Sequence, residues 1–143
     1  MRRSILLIAI FALIVVPAGG SLAAGRQLTT QLTGAAEVPG PGDPDGSGSA
    51  HITVNSGIGQ VCWRISVENI TLPALAAHIH EAPVGVAGPV VVTLSPPDAT
   101  GTSSGCADVD RSLAKDIRKH PAEYYVNVHT TGFEAGAVRG QLG

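Results

Sequence analysis

Residues 60–68 read QVCWRISVE, and this stretch decides the fold class. Its odd-numbered positions, from Val61 to Val67, are apolar, whereas its even-numbered positions are cysteine or polar residues. Side chains of a β-strand alternate between two faces, so this strict period of two predicts a half-buried strand. Trp63 lies in register with the aliphatic residues and is therefore expected in the core rather than on a ligand-stacking surface.

The rest of the chain predicts further short strands and many turns. The composition includes 18 Gly and 10 Pro, which favour turns over long helices. The segment from Ser95 to Gly105 is expected to be a polar loop, and the run from Val90 to Val92 is expected to be buried on both faces. Asp110 to Lys119 is the one predicted helix, with His120-Pro121 as its end. The other predicted strands cover residues 27–34, 50–55, 75–81, 89–94, 123–130 and 137–142. Seven or eight short strands with one short helix predict an all-β fold, an antiparallel Greek-key β-sandwich.

The N-terminus has the pattern of a secretory signal peptide. Arg2 and Arg3 precede an uncharged apolar run over residues 5–16, and small residues follow it. The run is short for a bilayer span, so residues 1–23 are predicted to be a cleaved leader, with an uncleaved membrane anchor as the alternative. The remaining domain is predicted to cover residues 27–143 and to be secreted, periplasmic or part of the cell envelope.

The charge balance after the leader argues against polyanionic partners. Of 9 basic residues two lie in the leader, which leaves 7 against 11 acidic residues and a net charge of −4. With no evident cluster of Lys and Arg and only 3% aromatic residues, nucleic acid is not an expected partner. An anionic membrane surface is not expected to bind the domain after leader cleavage.

Both cysteines, Cys62 and Cys106, lie in the predicted exported part. An even number of cysteines in an oxidising compartment favours a disulfide. The alternative is two unpaired or metal-binding thiols, although no Cys-x-x-Cys spacing supports a thiolate site.

Three histidines are the candidate site. His78 and His80 stand two apart on one predicted strand, so their imidazoles project from the same face with backbones about 7 Å apart. His129, on another predicted strand, supplies a third imidazole. Such a set suits copper or zinc. The alternative is a pair of imidazoles that are hydrogen-bonded at a sheet rim. Glu81 alternates to the opposite face and is a weaker ligand candidate.

The remaining histidines and the familiar catalytic motifs add little. His51 lies next to a predicted hairpin turn, and His120 lies at a predicted helix end, so both are expected to be solvated or capping residues. The sequence contains no nucleophile elbow, phosphate-binding loop or His-Glu-x-x-His motif, and no catalytic residue is predicted.

Several ordered motifs resemble one family along the whole predicted domain. They are Leu32-x-Gly34-x-x-Glu37-Val38-Pro39, Ala77-His78-Ile79-His80 followed by Gly88-Pro89-Val90-Val91, Tyr125-Val126-Asn127-Val128-His129-Thr130, and Arg139-Gly140-Gln141-Leu142. In this order they resemble the chordin-type domain, CHRD, which occurs singly in exported microbial proteins. Two departures stand out: Glu81-Ala82-Pro83 replaces the glycine that usually follows His-Ile-His, and Ala137 replaces a glutamate before the arginine.

The resemblance implies a secreted all-β domain without a defined biochemical role. The leading hypothesis is an exported binding module for an unidentified extracytoplasmic ligand or protein, with a transition metal held by His78, His80 and His129. The architecture is expected to be immunoglobulin-like or copper/zinc superoxide dismutase-like. The His-x-His strand, the sandwich and one disulfide resemble that dismutase, and by analogy they suggest a rival, a copper-dependent redox enzyme. A third hypothesis is a structural envelope or extracellular matrix protein in which the histidines only tie strands together. Whether the protein is an enzyme is left open.

Overall fold

Eight β-strands and one α-helix form the domain. The computed structural model describes residues 25–143, and the predicted leader at residues 1–23 lies outside them. The strands are β1 (Arg26–Thr33), β2 (Ser47–Asn55), β3 (Gln60–Glu68), β4 (Ala76–Glu81), β5 (Val90–Leu94), β6 (Thr102–Asp108), β7 (Tyr124–Thr130) and β8 (Phe133–Gln141). The helix α1 covers Arg111–Lys119, and short 3-10 turns cover Gly34–Ala36 and Pro121–Glu123.

All eight strands belong to one antiparallel sheet that is nearly closed on itself. Their order is β5-β4-β7-β8-β1-β2-β3-β6. The β3–β4 and β5–β6 connections cross between the two ends of this order, as in Greek-key connectivity. The predicted all-β class of seven or eight antiparallel strands with one helix is therefore confirmed.

The alternation in β3 produces the core as predicted. Val61, Ile65 and Val67 are at most 3% exposed, and Trp63 is 7% exposed. The indole Nε1 of Trp63 donates a hydrogen bond to the hydroxyl of Ser103 at 3.0 Å, which satisfies its one polar group. Apolar residues of the other strands complete the core, among them Ile52, Ile79, Val126 and Val138.

Two local expectations were wrong. Thr102–Asp108 is strand β6 rather than the end of a loop, because it pairs with β3 over its whole length although it lacks large apolar residues. Val90 is 48% exposed because β5 is the last strand at one end of the sheet order, so its valines are not buried on both faces.

Cys62 and Cys106 form a disulfide between β3 and β6, as predicted. The two residues are direct partners in the antiparallel register, so the bond links adjacent strands. It covalently links β6, the strand that the sequence pattern did not predict, to β3.

Helix α1 lies against the sheet through Ala114 and Ile117, which are fully buried. Asp110 occupies the N-cap position as predicted, although its side chain makes no capping hydrogen bond. The hydroxyl of Tyr124 on β7 donates to the carboxylate of Asp116 at 2.6 Å. This bond lowers the pKa of Asp116 and joins the helix to the sheet. In the described part of the chain, no helix has the length and apolarity to cross a membrane.

Candidate metal centre

The candidate site lies on the outer face of β4, β7 and β8. Because side chains alternate along each strand, Ile79, Val126 and Val138 point into the core while their neighbours point outward. His80 lies opposite Tyr125 in the register of β4 and β7. The outward set is His78, His80, Tyr125, Asn127, His129, Arg139 and Gln141. We call this set the outer face.

Strand pairing brings the three predicted histidines together. One ring nitrogen from each of His78, His80 and His129 lies within 4.8 Å of the other two. The ring centroid of His78 lies 5.5 Å from that of His80 and 5.0 Å from that of His129. His78 and His129 are half-buried, and His80 is 9% exposed. In residues 25–143 this is the one cluster of His, Cys, Asp and Glu with such spacing.

Backbone carbonyls fix the tautomers of two imidazoles. Nδ1 of His80 lies 2.8 Å from the Gly88 carbonyl oxygen, and Nδ1 of His129 lies 2.9 Å from the Glu134 carbonyl oxygen. A carbonyl oxygen only accepts hydrogen bonds, so each Nδ1 carries the proton, and in the neutral imidazole each Nε2 is an acceptor. Such carbonyl contacts orient histidine ligands in metal proteins.

The third imidazole links to this pair. Nδ1 of His78 is 3.1 Å from Nε2 of His129, and because the latter has no proton, His78 donates this hydrogen bond. Nε2 of His80 is buried without a hydrogen-bond partner, and so is Oδ1 of Asn127, the residue opposite His78 on β7. The site therefore contains two buried acceptor atoms without a partner, one on the His80 imidazole and one on the Asn127 amide, whereas Nε2 of His129 is satisfied by His78.

Burial disfavours the charged form of His78 and of His129. It lowers the pKa of His78 below its ordinary value of 6.5, and the nearby His129 and His80 lower it further. Burial also lowers the pKa of His129, against the opposing effect of its bond to the Glu134 carbonyl. Neutral imidazole is the form that binds metal ions.

One of the three nitrogen–nitrogen spacings is close to that around a tetrahedral ion. Metal–nitrogen bonds of about 2.0–2.1 Å at tetrahedral angles place two ligand nitrogens about 3.3 Å apart. Nδ1 of His78 and Nε2 of His129 are 3.1 Å apart, and His78 would bind through Nδ1 with its proton moved to Nε2. The widest spacing in the cluster, within 4.8 Å, would have to close by about 1.5 Å for all three imidazoles to bind one ion.

Residues 82–89 form the loop between β4 and β5, and we call this loop the strap. It covers the side of the site where His80 lies. Arg139 donates to the carbonyls of Val86 at 2.9 Å and Pro83 at 3.2 Å. The amide of Gln141 donates to the Ala82 carbonyl at 2.8 Å. Since the strap also carries Gly88, these bonds hold in place the carbonyl that orients His80.

Arg139, Tyr125 and His80 form a stack across the outer face. The guanidinium carbon of Arg139 lies 3.4 Å from the centre of the Tyr125 ring. The same ring is parallel to the His80 imidazole, with centroids 4.8 Å apart. The Tyr125 hydroxyl accepts a hydrogen bond from the Gly88 backbone N–H at 3.2 Å. Arg139 thus supports His80 from two directions, through Tyr125 and through the strap.

Glu37 is a buried carboxyl group next to this stack. It is 4% exposed, and its Oε1 has no hydrogen-bond partner. Burial raises its pKa from 4.5 to about 7, although the charge of Arg139 and the backbone N–H of Val38 favour the ionised form. The carboxylate occupies the space that a Cβ at Gly136 would need, and Gly136 has φ 146°, so only glycine fits there.

Glu37→Gln is expected to stabilise the protein at pH 8 by about 2 kcal/mol and to have little effect at pH 4. Below pH 4.5 the carboxyl is protonated in both states; between pH 4.5 and about 7 only the unfolded chain loses the proton, so the free energy of unfolding falls. Urea unfolding at the two pH values measures the effect. Exposed Glu68→Gln on β3 is the control. An equal effect of Glu37→Gln at both pH values would contradict the ionisation argument.

The other histidines and Glu81 do not join the site. His51 is exposed on β2 and contacts the Thr29 hydroxyl at 3.2 Å. His120 is exposed beyond α1 and pairs with Asp116 at 3.0 Å. Glu81 is exposed, opposite Tyr124 on the other face of the sheet. These placements agree with the weaker roles that the sequence predicts for them.

Sequence reasoning assigned no role to four residues that support the site. They are Glu37, Tyr125, Arg139 and Gln141. All four lie in the motifs quoted above, so the family resemblance was the available signal. Residue type alone could not separate them from ordinary surface polar groups, because their burial depends on the strap and on the segment that follows β1.

The fold and the outer face define a class of protein: an eight-stranded antiparallel β-domain with three clustered histidines beside a covering strap. The CHRD domain family matches residues 28–142, nearly the whole described chain. The chain therefore belongs to the CHRD domain family. No match was found among curated proteins or among solved structures.

The two departures from the family pattern have identifiable surroundings. Glu81-Ala82-Pro83 leads into the strap, where the Ala82 and Pro83 carbonyls accept hydrogen bonds from Gln141 and Arg139. Ala137 is fully buried, and its backbone carbonyl accepts a hydrogen bond from the Asp43 N–H. Arg139 has a neighbouring carboxyl group in Glu37 although position 137 supplies none.

Proposed function

We propose that this CHRD domain is an extracytoplasmic binding module that holds one copper or zinc ion through His78, His80 and His129. The observation that carries the proposal is the buried, unpartnered Nε2 of His80 within a cluster of three imidazole nitrogens. In His80 and His129, a backbone carbonyl holds the proton on Nδ1, so the lone pair that could bind a metal lies on Nε2. This is the arrangement that first-row metal sites use to orient imidazole ligands.

The donor set favours copper or zinc over harder cations. Imidazole nitrogen suits both metals, whereas calcium and magnesium require oxygen ligands. Both cysteines are in the disulfide, so no thiolate competes for the metal. No carboxylate belongs to the cluster in the described residues, and water or a ligand atom would complete the coordination.

A second candidate function is copper-dependent redox chemistry at the same site. The observation that favours it is the partial exposure of His78 and His129, which gives a small oxidant access to the remaining coordination position. A redox enzyme requires such an open position, whereas a storage or structural site does not. Superoxide turnover by the copper-loaded protein above that of free copper would support this candidate.

The proposed location is outside the cytoplasm. The Cys62–Cys106 disulfide supports it, because such bonds form and persist in oxidising compartments. Membership of the CHRD family supports the same location.

Titration of the purified metal-free protein with copper or zinc is expected to reach about one equivalent. Replacing two of three ligands removes the chelate, so the double variant His78→Ala/His80→Ala should lose this binding. The single variant His129→Ala should weaken it by about tenfold or more. Calorimetry and elemental analysis of the dialysed protein measure the stoichiometry and affinity.

His51→Ala is the matched control, since His51 is an exposed strand histidine outside the cluster. It should leave affinity and stoichiometry unchanged. Far-ultraviolet circular dichroism establishes that each variant is folded. The proposal fails if the folded parent binds no transition metal after copper challenge, or if the double variant binds as tightly as the parent. The structural hypothesis, in which the histidines only tie strands together, would then be favoured.

A further inference from the structure

Most of the positive charge of this acidic domain lies in one place. Of 9 basic residues in the chain, two precede the described part, which leaves seven. Five of these seven lie on α1 or beside it: Arg26, Arg111, Lys115, Arg118 and Lys119. We call these five residues the cationic stripe. The expectation that the domain has no cluster of Lys and Arg was therefore wrong.

The helical repeat explains the clustering. Arg111, Lys115 and Arg118 are separated by intervals of four and three residues, and Lys119 follows, so all four project within an arc of about 100°. Ala114 and Ile117 occupy the arc that faces the core. In the sequence the four cations are interspersed with apolar and acidic residues, and only the helix sorts them onto one exposed side.

Tertiary contacts extend the stripe beyond the helix. The Arg26 guanidinium at the start of β1 donates to the Arg118 carbonyl, and the Arg118 guanidinium donates to the Ser56 hydroxyl at 2.8 Å. Together with Lys115 and Lys119 they line an open cleft of about 280 Å³. The two guanidinium groups are thus held at the wall of one cleft rather than dispersed in solvent.

None of the five cations of the stripe forms a close ion pair, although Asp116 on the same helix feels the charge of Lys119. In residues 25–143 the one ion pair joins His120 to Asp116, and none of the five cations lies within 4.0 Å of an acidic oxygen. The domain has 11 acidic residues available for pairing. Clustered like charges repel one another, so an anionic ligand that bridges them is favoured electrostatically.

The surroundings of the stripe discriminate among anionic partners. Trp63, Tyr124 and Tyr125 are at most 7% exposed, and the partly exposed Phe133 does not line the cleft, so the stripe offers no aromatic surface on which the bases of a single-stranded nucleic acid could stack. Ile58 is the one exposed large aliphatic residue in the turn next to Ser56, too small an apolar area for a membrane anchor. A linear, flexible polyanion that needs only charge contacts fits best.

We propose that the cationic stripe binds a linear anionic polysaccharide that bears sulfate groups. The guanidinium groups of Arg26 and Arg118 provide planar donors for two sulfate oxygens each, and the lysines provide point charges along the chain. This site is separate from the histidine cluster and does not depend on the proposed metal.

Dextran sulfate and uncharged dextran are the probes, with binding measured by calorimetry in 50 mM NaCl. Dextran sulfate should bind, and dextran should not. Lys115→Gln/Lys119→Gln should weaken binding at least tenfold and reduce the slope of log Kd against log salt by about two, since two counterion-releasing contacts are lost. Both positions are exposed, so the variant should fold normally.

Arg64→Gln is the matched control, because Arg64 is an exposed cation on β3 away from the stripe. It should leave the affinity for dextran sulfate unchanged. Equal binding by the parent and the double variant would overturn the proposal, as would the absence of binding by the parent. Tighter binding to a single-stranded oligonucleotide or to phosphatidylglycerol vesicles than to dextran sulfate would also overturn it, in favour of those partners.

Discussion

The double variant Cys62→Ala/Cys106→Ala is expected to unfold with a free energy about 4 kcal/mol below that of the parent. The disulfide joins residues 44 apart in sequence, and in the chain-entropy model the loss of such a cross-link restores that much freedom to the unfolded chain. A loss of this size approaches the whole stability of many small domains. Urea unfolding of the variant and of the oxidised and reduced parent measures it.

The folded structure of this variant should remain that of the parent. Strand β6 pairs with β3 along seven residue pairs from Thr102 to Asp108, so the hydrogen bonds stay when the sulfurs are removed. The chemically reduced parent should match the double variant in its unfolding midpoint. If the variant and the parent unfold at the same urea concentration, or if thiol titration of the denatured, unreduced parent finds two free sulfhydryls, the predicted role of the disulfide is wrong.

Arg139→Met is expected to lower the free energy of unfolding by about 3 kcal/mol. Arg139 is 2% exposed, and its guanidinium donates to the carbonyls of Pro83 and Val86 and to the side-chain oxygen of Gln141. Methionine fills part of the volume but leaves these acceptors without their donor. The stack on Tyr125 is also lost, so the strap loses its main attachment to the sheet.

The same variant tests whether the strap positions the histidines. If Arg139 orients His80 through Gly88, the affinity for copper should fall by about tenfold, which is typical of residues that hold metal ligands in place. Arg139→Lys keeps the charge but lacks the planar fork, so it should lie between Met and the parent in both measurements. Arg64→Met is the exposed control and should change stability by less than about 0.5 kcal/mol. Unchanged stability in Arg139→Met would contradict the structural role of the guanidinium.

The sequence correctly predicted those structural features whose signal lies within a few neighbouring residues. The alternation in Gln60–Glu68 needs only one strand and one apolar face, and the strand lies at those residues. Strand Thr102–Asp108 has few apolar residues, and its stability comes from pairing with β3 and from the disulfide. No pattern within seven residues could report those partners. The edge position of Val90–Leu94 was equally invisible, since it depends on strand order.

The candidate site also has one part that local sequence predicts and one part that depends on the tertiary structure. The two-residue spacing of His78 and His80 placed both imidazoles on one face, which is a local consequence of strand geometry. The approach of His129 required β4 to pair with β7, from residues about fifty positions away. The burial of Glu37 and Arg139 required loops to fold over a face that would otherwise be solvated. Family motifs pointed to these residues, and charge or hydropathy did not.

By itself, the sequence determined the strand periodicity, the shared face of His78 and His80, the helix at α1 and the availability of two cysteines for one disulfide. Tertiary structure alone decided which strands are neighbours, how the third histidine and the strap complete the outer face, and that five cations share one surface. The physical reason is the separation in sequence over which each effect acts. Backbone geometry and side-chain alternation act between neighbouring residues, whereas register, burial of polar groups and charge clustering arise only when distant segments pack together.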